Sequence, residues 1–275
     1  MRSGFRYSLR VLLAGVGVIA LIIAVSQAYV GNLQRKASAV RALQRSNVSL
    51  IDHNWVLDEN GWLDSDANDI ERHSESDLAL ARFATDVIEI DMSTFLCVDS
   101  NANLASHLNL LSEFPKLKRL NCDSNDMVDM NDSMIHSMIE ALGSQCSVIE
   151  ELSLNYNSMT DDSLNAISRW PALRKLSLAY SKSIGDAGIA HLAKCNRLTE
   201  LDVSGTQISG RCFRHFETST SLRWVDVSDT HVSDASLMNL MKIRSLREVW
   251  IFNTQVTDDA IQEFQSLRPD VDIRR

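Results

Sequence analysis

Six segments of the chain follow one template, Leu-x-x-Leu-x-Leu-x-x-Asn-x-Leu, with conservative replacements. They open at Leu117, Ile149, Leu173, Leu198, Leu222 and Leu246, at intervals of 32, 24, 25, 24 and 24 residues. A unit of this length cannot bury its apolar face alone and must stack on copies of itself, so the repeat dictates a solenoid. Alternating apolar residues, such as Leu152 with Leu154 and Val225 with Val227, predict a short strand that turns them inward. An apolar stripe at helical spacing follows: Leu164 and Ile167, Ile189 and Leu192, Phe213 and Phe216, Leu237 and Leu240, Ile261 and Phe264.

Between strand and helix lies a tight turn. Asn157, Thr206, Thr230 and Thr254 supply side chains that satisfy its backbone groups. Thr160-Asp161, Ser233-Asp234 and Thr257-Asp258 then read as helix starts, where a hydroxyl or carboxylate caps free N–H groups. The pairs Asp161-Asp162 and Asp258-Asp259 stand in this capping column, which explains them without acid–base or metal chemistry. The unit from Leu173 carries one extra turn residue, across Tyr180 to Ile184. Val87-x-x-Ile90-x-Met92 reads as a divergent first repeat, and Pro269 to Ile273 as a short closing strand. Residues 46–86 do not repeat and serve as an N-terminal cap, with a strand expected near Val48 to Ile51. The expected fold is a right-handed α/β solenoid over residues 87–275, with a parallel sheet on the concave side and helices on the convex side.

Residues 11–30, from Val11 to Val30, carry no charge. A helix of that length spans roughly 30 Å, the thickness of a bilayer core. The reading favours a single transmembrane helix, a signal anchor in the lipid bilayer, preceded by a basic tail over 1–10. A cleaved signal peptide ending near Ser26-Gln27-Ala28 is the alternative. The short tail points to a single-pass membrane protein with its repeats outside the cytoplasm, although Arg and Lys are nearly balanced on the two sides. Residues 31–45 then read as a basic helical linker.

The repeat template resembles that of leucine-rich-repeat proteins. The Thr-x-Val-Thr/Ser-Asp turn with a one-faced helix is similar to the cysteine-containing and ribonuclease-inhibitor-like subtypes. Phe5-Arg-Tyr-Ser8-Leu9-Arg10 before the apolar span resembles the Phe-x-x-Ser-Leu-Arg start of some bacterial membrane-anchored repeat proteins. That likeness implies a tethered repeat protein and no defined chemistry.

Charge narrows the partner. Residues 1–45 hold seven of the 27 basic side chains and no acid, so residues 46–275 carry 20 basic and 36 acidic groups, a net charge of −16. Such a surface repels phosphate backbones, and no nucleic-acid partner is expected. Cys97, Cys122, Cys146, Cys195 and Cys212 lack zinc-type spacing and read as small core residues. Asp64-x-Asp66-x-Asn68 with Glu75 outlines a calcium loop, but Asp69 stands where the turn requires glycine. Asp123, Asp126, Asp129 and Asp132 read as a solvated acidic connection, and seven scattered histidines form no metal motif. No catalytic set, cofactor or metal is expected, and a monomer is.

Strand residues pointing away from the core form columns on the concave face. One column runs Arg119, Glu151, Lys175, Glu200, Trp224, Glu248; the next runs Asn121, Ser153, Ser177, Asp202, Asp226, Trp250. Just past the strands stand Tyr156, Tyr180, Gly205, Asp229 and Asn253, with Phe252 beside the last. Trp224, Trp250 and Phe252, flanked by Asp226, Asp229 and Glu248, therefore share one face, and Tyr156 and Tyr180 form a second patch. Aromatics ringed by charge are the makeup of a protein-binding surface, or else of an end cap in which they pack on one another. The expected function is protein–protein recognition on the concave face without catalysis, with an enzyme inhibitor or a degradation adaptor as alternatives.

Overall fold

The computed structural model describes residues 27–28, 30–32, 34–39, 41–42, 49–52, 87–91, 109–124, 130–142 and 146–275. Within these the chain forms one nine-stranded sheet in strict sequence order. Strand β1 (Ser49–Asp52) pairs antiparallel with β2 (Val87–Asp91). All later neighbours are parallel: β3 (Arg119–Asn121), β4 (Glu151–Ser153), β5 (Lys175–Ser177), β6 (Glu200–Asp202), β7 (Trp224–Asp226), β8 (Glu248–Trp250) and β9 (Asp272–Arg274). The expected strands near Val48 to Ile51 and Pro269 to Ile273 are thus present as β1 and β9.

Behind the sheet run α1 (Asp132–Leu142), α2 (Asp161–Ile167), α3 (Asp186–His191), α4 (Asp234–Met241) and α5 (Asp258–Leu267). The unit containing Phe213 and Phe216 holds a 3-10 helix instead, Arg211–Phe216, which starts after Gly210 in the left-handed region at φ 83°. A side chain there would strain the backbone and meet Ser236 Cβ at 2.7 Å, so glycine both sets the turn and lets the next repeat close in. This is an α/β solenoid with a parallel sheet, the architecture expected from the repeat.

The core is a set of columns. Ile90, Leu120, Leu152, Leu176, Leu201, Val225 and Val249 face one another in unshifted register, each at most 3% exposed. Each such side chain contributes roughly 1.5–3 kcal/mol by leaving water. Phe114, Phe213, Phe216 and Phe264 fill the space under the helices. Cys122, Cys195 and Cys212 sit among them as small apolar residues. Burial pushes the Cys195 thiol up to about 11 and raises the Cys212 thiol well above its ordinary value, so neither ionises in the neutral range.

The helix-start acids do more than cap their own helices. Thr160 and Thr257 cap α2 and α5 through their hydroxyls. The carboxylates reach forward into the next repeat. Asp132 accepts from Thr160 N (2.9 Å), Thr160 Oγ1 and Ser163 Oγ; Asp161 from Gly185 N; Asp186 from Ser209 N, Ser209 Oγ and Cys212 N; Asp234 from Thr257 N and Oγ1. The Arg211 unit has no such acid, and there Ser236 Oγ donates back to Ser209 O. These bonds staple neighbouring units on the helical side. A polar ladder does the same in the turns: Asn157 Nδ2 donates to Cys122 O and its Oδ1 accepts from Met130 N, both in the preceding unit.

The expected transmembrane helix over 11–30 is corrected, and with it the single-pass location. Among the described residues no helix is long and apolar enough to cross a membrane. Of that stretch only Gln27, Ala28 and Val30 are described. The basic linker expected over 31–45 is helical at its described positions. Ala37 and Ala39 are fully buried in the core cluster, and Arg35 lies 3.8 Å from Glu113, so these helical positions pack on the first turns of the solenoid. The outlined calcium loop, Cys97, Asp126 and Asp129 lie outside the described residues.

Hydrogen bonds to the Asp132 and Asp186 carboxylates outweigh burial, which acts first and in the opposite sense, and hold both below the usual value. Their contribution is therefore present above pH 3.8 and lost as pH falls through the depressed folded value. Asp186→Ala should cost about 1–3 kcal/mol at neutral pH, because Ser209 and Cys212 lose their acceptor. Urea unfolding at pH 7 and pH 3 measures this, and the cost should shrink at the lower pH.

Candidate functional face

The outward residues of the strands stand in two columns, in the register read from the repeat. Along the first, charge alternates from Glu89 to Glu200 and the ions pair across strands. Arg119 Nε lies 2.6 Å from Glu89 Oε2 and Lys175 Nζ 3.3 Å from Glu200 Oε2. A groove of about 370 Å³ follows this half of the face, bounded by Glu89, Arg119, Glu151, Lys175, Glu200 and Trp224 among others.

At Trp224 the character changes. Trp224 and Trp250 meet edge to face, with ring centroids 5.4 Å apart and an interplanar angle of 77°. Phe252 meets Trp250 the same way at 6.2 Å and 87°. Trp250 Nε1 donates to Glu248 Oε1 at 2.7 Å, which fixes the indole. Arg274, its register partner on β9, lies 3.6 Å from the same oxygen. The tryptophans are half-buried, whereas Phe252 is 44% exposed. The rings pack on one another and also face solvent.

The acids beside them have no cation. Among the described residues, Asp202, Asp226 and Asp229 form no ion pair, while Arg119, Lys175 and Arg274 on the same face all do. Asp226, register partner of Trp250, is 8% exposed and accepts from Ser228 N at 2.8 Å. Burial, then the charges of Asp202 and Asp229, push its carboxyl above the usual range, against the Ser228 bonds. Asp202 Oδ1 accepts from Ser204 N and Oγ. Its Oδ2 lies 3.1 Å from Ser177 Oγ, but that hydroxyl is 2.6 Å from Asn155 Oδ1 and has one proton to give.

The residues just past the strands form a column of their own. Tyr156, Tyr180, Gly205, Asp229 and Asn253 all have φ between 51° and 66°. Glycine, asparagine and aspartate enter this left-handed region readily; a tyrosine there costs roughly 1–2 kcal/mol. The two tyrosines nevertheless stack, with centroids 5.0 Å apart and planes 3° from parallel, at 60% and 37% exposure. Tyr180 then crosses Gly205, and its hydroxyl donates to Asp229 Oδ2 at 2.7 Å. Asn253 Nδ2 donates to Asp229 Oδ1 at 2.7 Å. The phenol is pushed up to about 12 by its bond to Asp229 and by that charge, and Asp229 is lowered by Asn253 and Tyr180.

The residues singled out in the sequence thus lie on one continuous face: Tyr156 and Tyr180 at one rim, Asp226 and Asp229 between, Trp224, Trp250, Phe252 and Glu248 at the other. Sequence reading missed Asp202, whose place in its column was visible, and the roles of Gly205 and Asn253. Among the described residues no group of three or more His, Cys, Asp or Glu is placed to hold a metal ion.

Among solved structures the chain is similar to an internalin C2 from Listeria monocytogenes, with 16% identity and a TM-score of 0.48, covering 70% of this chain and 72% of that one. No family model matches the chain, and no curated protein is similar to it.

A methyl group at Gly205 would meet Tyr180 Cδ1 at 2.4 Å in a backbone at φ +66°. Gly205→Ala should cost about 1–3 kcal/mol and unstack the tyrosines, seen as lost near-ultraviolet circular dichroism. In a Tyr180→Ala background the same substitution should cost less, because only the backbone strain remains. Equal costs in both backgrounds would show that the ring does not lie over the glycine.

Proposed function

We propose that this chain is a protein-recognition scaffold that docks a partner on the open face of its sheet and performs no catalysis. The observation that carries the reading is the Trp224–Trp250–Phe252 cluster, three large rings held edge to face on the open side of the sheet with Phe252 44% exposed. Large rigid aromatics at the centre of a face, ringed by polar groups, supply most of the binding energy in protein interfaces. The rigid ladder behind them means that they are presented without a cost in ordering. The helical backs of the units support placing the repeat among the variants with a helical convex side. The acidic surface supports a protein partner over a nucleic acid.

A photoreactive phenylalanine analogue at position 252 should give a covalent adduct with a partner, whereas the same group at position 263 on α5 should not. Adducts from position 263 alone would place the working surface on the helices and end this reading. Phe252 is exposed, so Phe252→Ala should change stability by no more than about 0.5 kcal/mol. Partner capture should fall about tenfold in that variant.

A further inference from the structure

The face is built in two electrostatic halves, and the difference between them describes the occupant. From β2 to β6 both cations of the first column are matched in place, Arg119 with Glu89 and Lys175 with Glu200, and of its acids Glu151 alone has no ion pair among the described residues. From β6 to β8 three carboxylates, Asp202, Asp226 and Asp229, stand beside the aromatic cluster without an ion pair among the described residues. Asp226 is 8% exposed. A buried carboxylate beside two others is costly unless a cation arrives, and burial with like charge does raise its proton affinity.

The neighbouring rings fit one kind of cation. Trp224, Trp250 and Tyr180 all adjoin these acids: Trp250 pairs with Asp226 across the sheet, Trp224 lies two residues before it, and Tyr180 bonds Asp229. Indole and phenol faces attract cations, and a planar guanidinium can stack on a ring while donating to a carboxylate. An ammonium is held more strongly by water and has no plane to stack. The Tyr180 hydroxyl and Trp250 Nε1 already donate to Asp229 and Glu248, so neither is free to greet an anion.

We propose that the occupant of this half of the face is an extended segment of a partner protein that seats arginine between the Trp224–Trp250 wall and the Asp202, Asp226 and Asp229 carboxylates. This rests on the docking role proposed above and names the chemistry of what docks.

The test uses hexa-arginine amide as probe, with hexalysine and hexaglutamate amides beside it, titrated into the full chain by calorimetry. Hexa-arginine should bind, hexalysine more weakly, and hexaglutamate not at all. Asp202→Asn/Asp226→Asn/Asp229→Asn keeps the side-chain oxygens that accept from Ser204, Ser228 and Asn253, and should weaken hexa-arginine about tenfold or more. Glu140→Gln/Asp259→Asn/Glu263→Gln removes the same charge from exposed helix positions and should leave affinity within about twofold. Equal loss in both triple variants, or equal binding of hexalysine, overturns the proposal, since net charge alone would then explain attraction. If the first triple variant does not fold, a photoreactive group within the arginine probe decides: adducts on residues 224–253 support the proposal, and adducts on the helices overturn it. Capture of an acidic segment by position 252 would overturn the arginine assignment while leaving the docking role intact. Absence of any adduct from that position would remove the docking role itself.

Discussion

Everything in this solenoid depends on the unshifted parallel register of β2 to β9. Each strand has only a few residues, and each places its central apolar residue opposite the same position of its neighbour, from Ile90 to Ile273. Side chains alternate along a strand, so a slip of one residue would turn Leu152 or Leu201 to solvent and bury Glu151 or Glu200. That penalty holds every other column in place. The turns, the acids that begin the helices and the rings on the open face line up because the central residues do.

Sequence periodicity revealed those columns because apolar spacing and register are the same information at 24 or 25 residues. Trp224, Trp250 and Phe252 were therefore legible as one patch, and Asp226 and Asp229 as their neighbours. What a column does once formed was less legible. Asp161 and Asp234 look like ordinary helix caps in sequence and Asp132 like one of a solvated acidic run, and only three-dimensional stacking shows that these carboxylates, with Asp186, accept from the next repeat. The 3-10 geometry of Arg211–Phe216 follows from a missing acid and a left-handed Gly210, a local departure that apolar spacing cannot register. The apolar stretch over 11–30 invited a membrane span on length and hydropathy alone. In the basic segment that follows, Ala37 and Ala39 are buried in the core cluster, a destination that small residues there do not announce.

The two halves of the face solve the same electrostatic problem differently. Where Lys175 and Arg119 stand in the first column, Glu200 and Glu89 are neutralised within the chain. Where Trp224 replaces a cation in that column, Glu200 faces an indole and the acids of the next column lose any chance of a partner one strand away. Trp224 thus joins Trp250 in the apolar wall at the same strand where the first column loses its cation. A surface formed that way is suited to a ligand that is flat and cationic at once.

The tyrosines carry the argument a step further. Tyr156 and Tyr180 occupy a left-handed position that later units fill with glycine, aspartate and asparagine. The strain is roughly 1–2 kcal/mol for each. Stacking returns about 0.5–1.5 kcal/mol for the pair, and their exposure means that burial returns little more. The Tyr180 hydroxyl adds its bond to Asp229 to that return. The pair is nonetheless braced with care: a glycine clears the path of Tyr180, and Asp229, itself held by Asn253, fixes its hydroxyl. The strain at these two positions is thus set against the stack and the braced Tyr180 hydroxyl, on a rim that stays open to solvent.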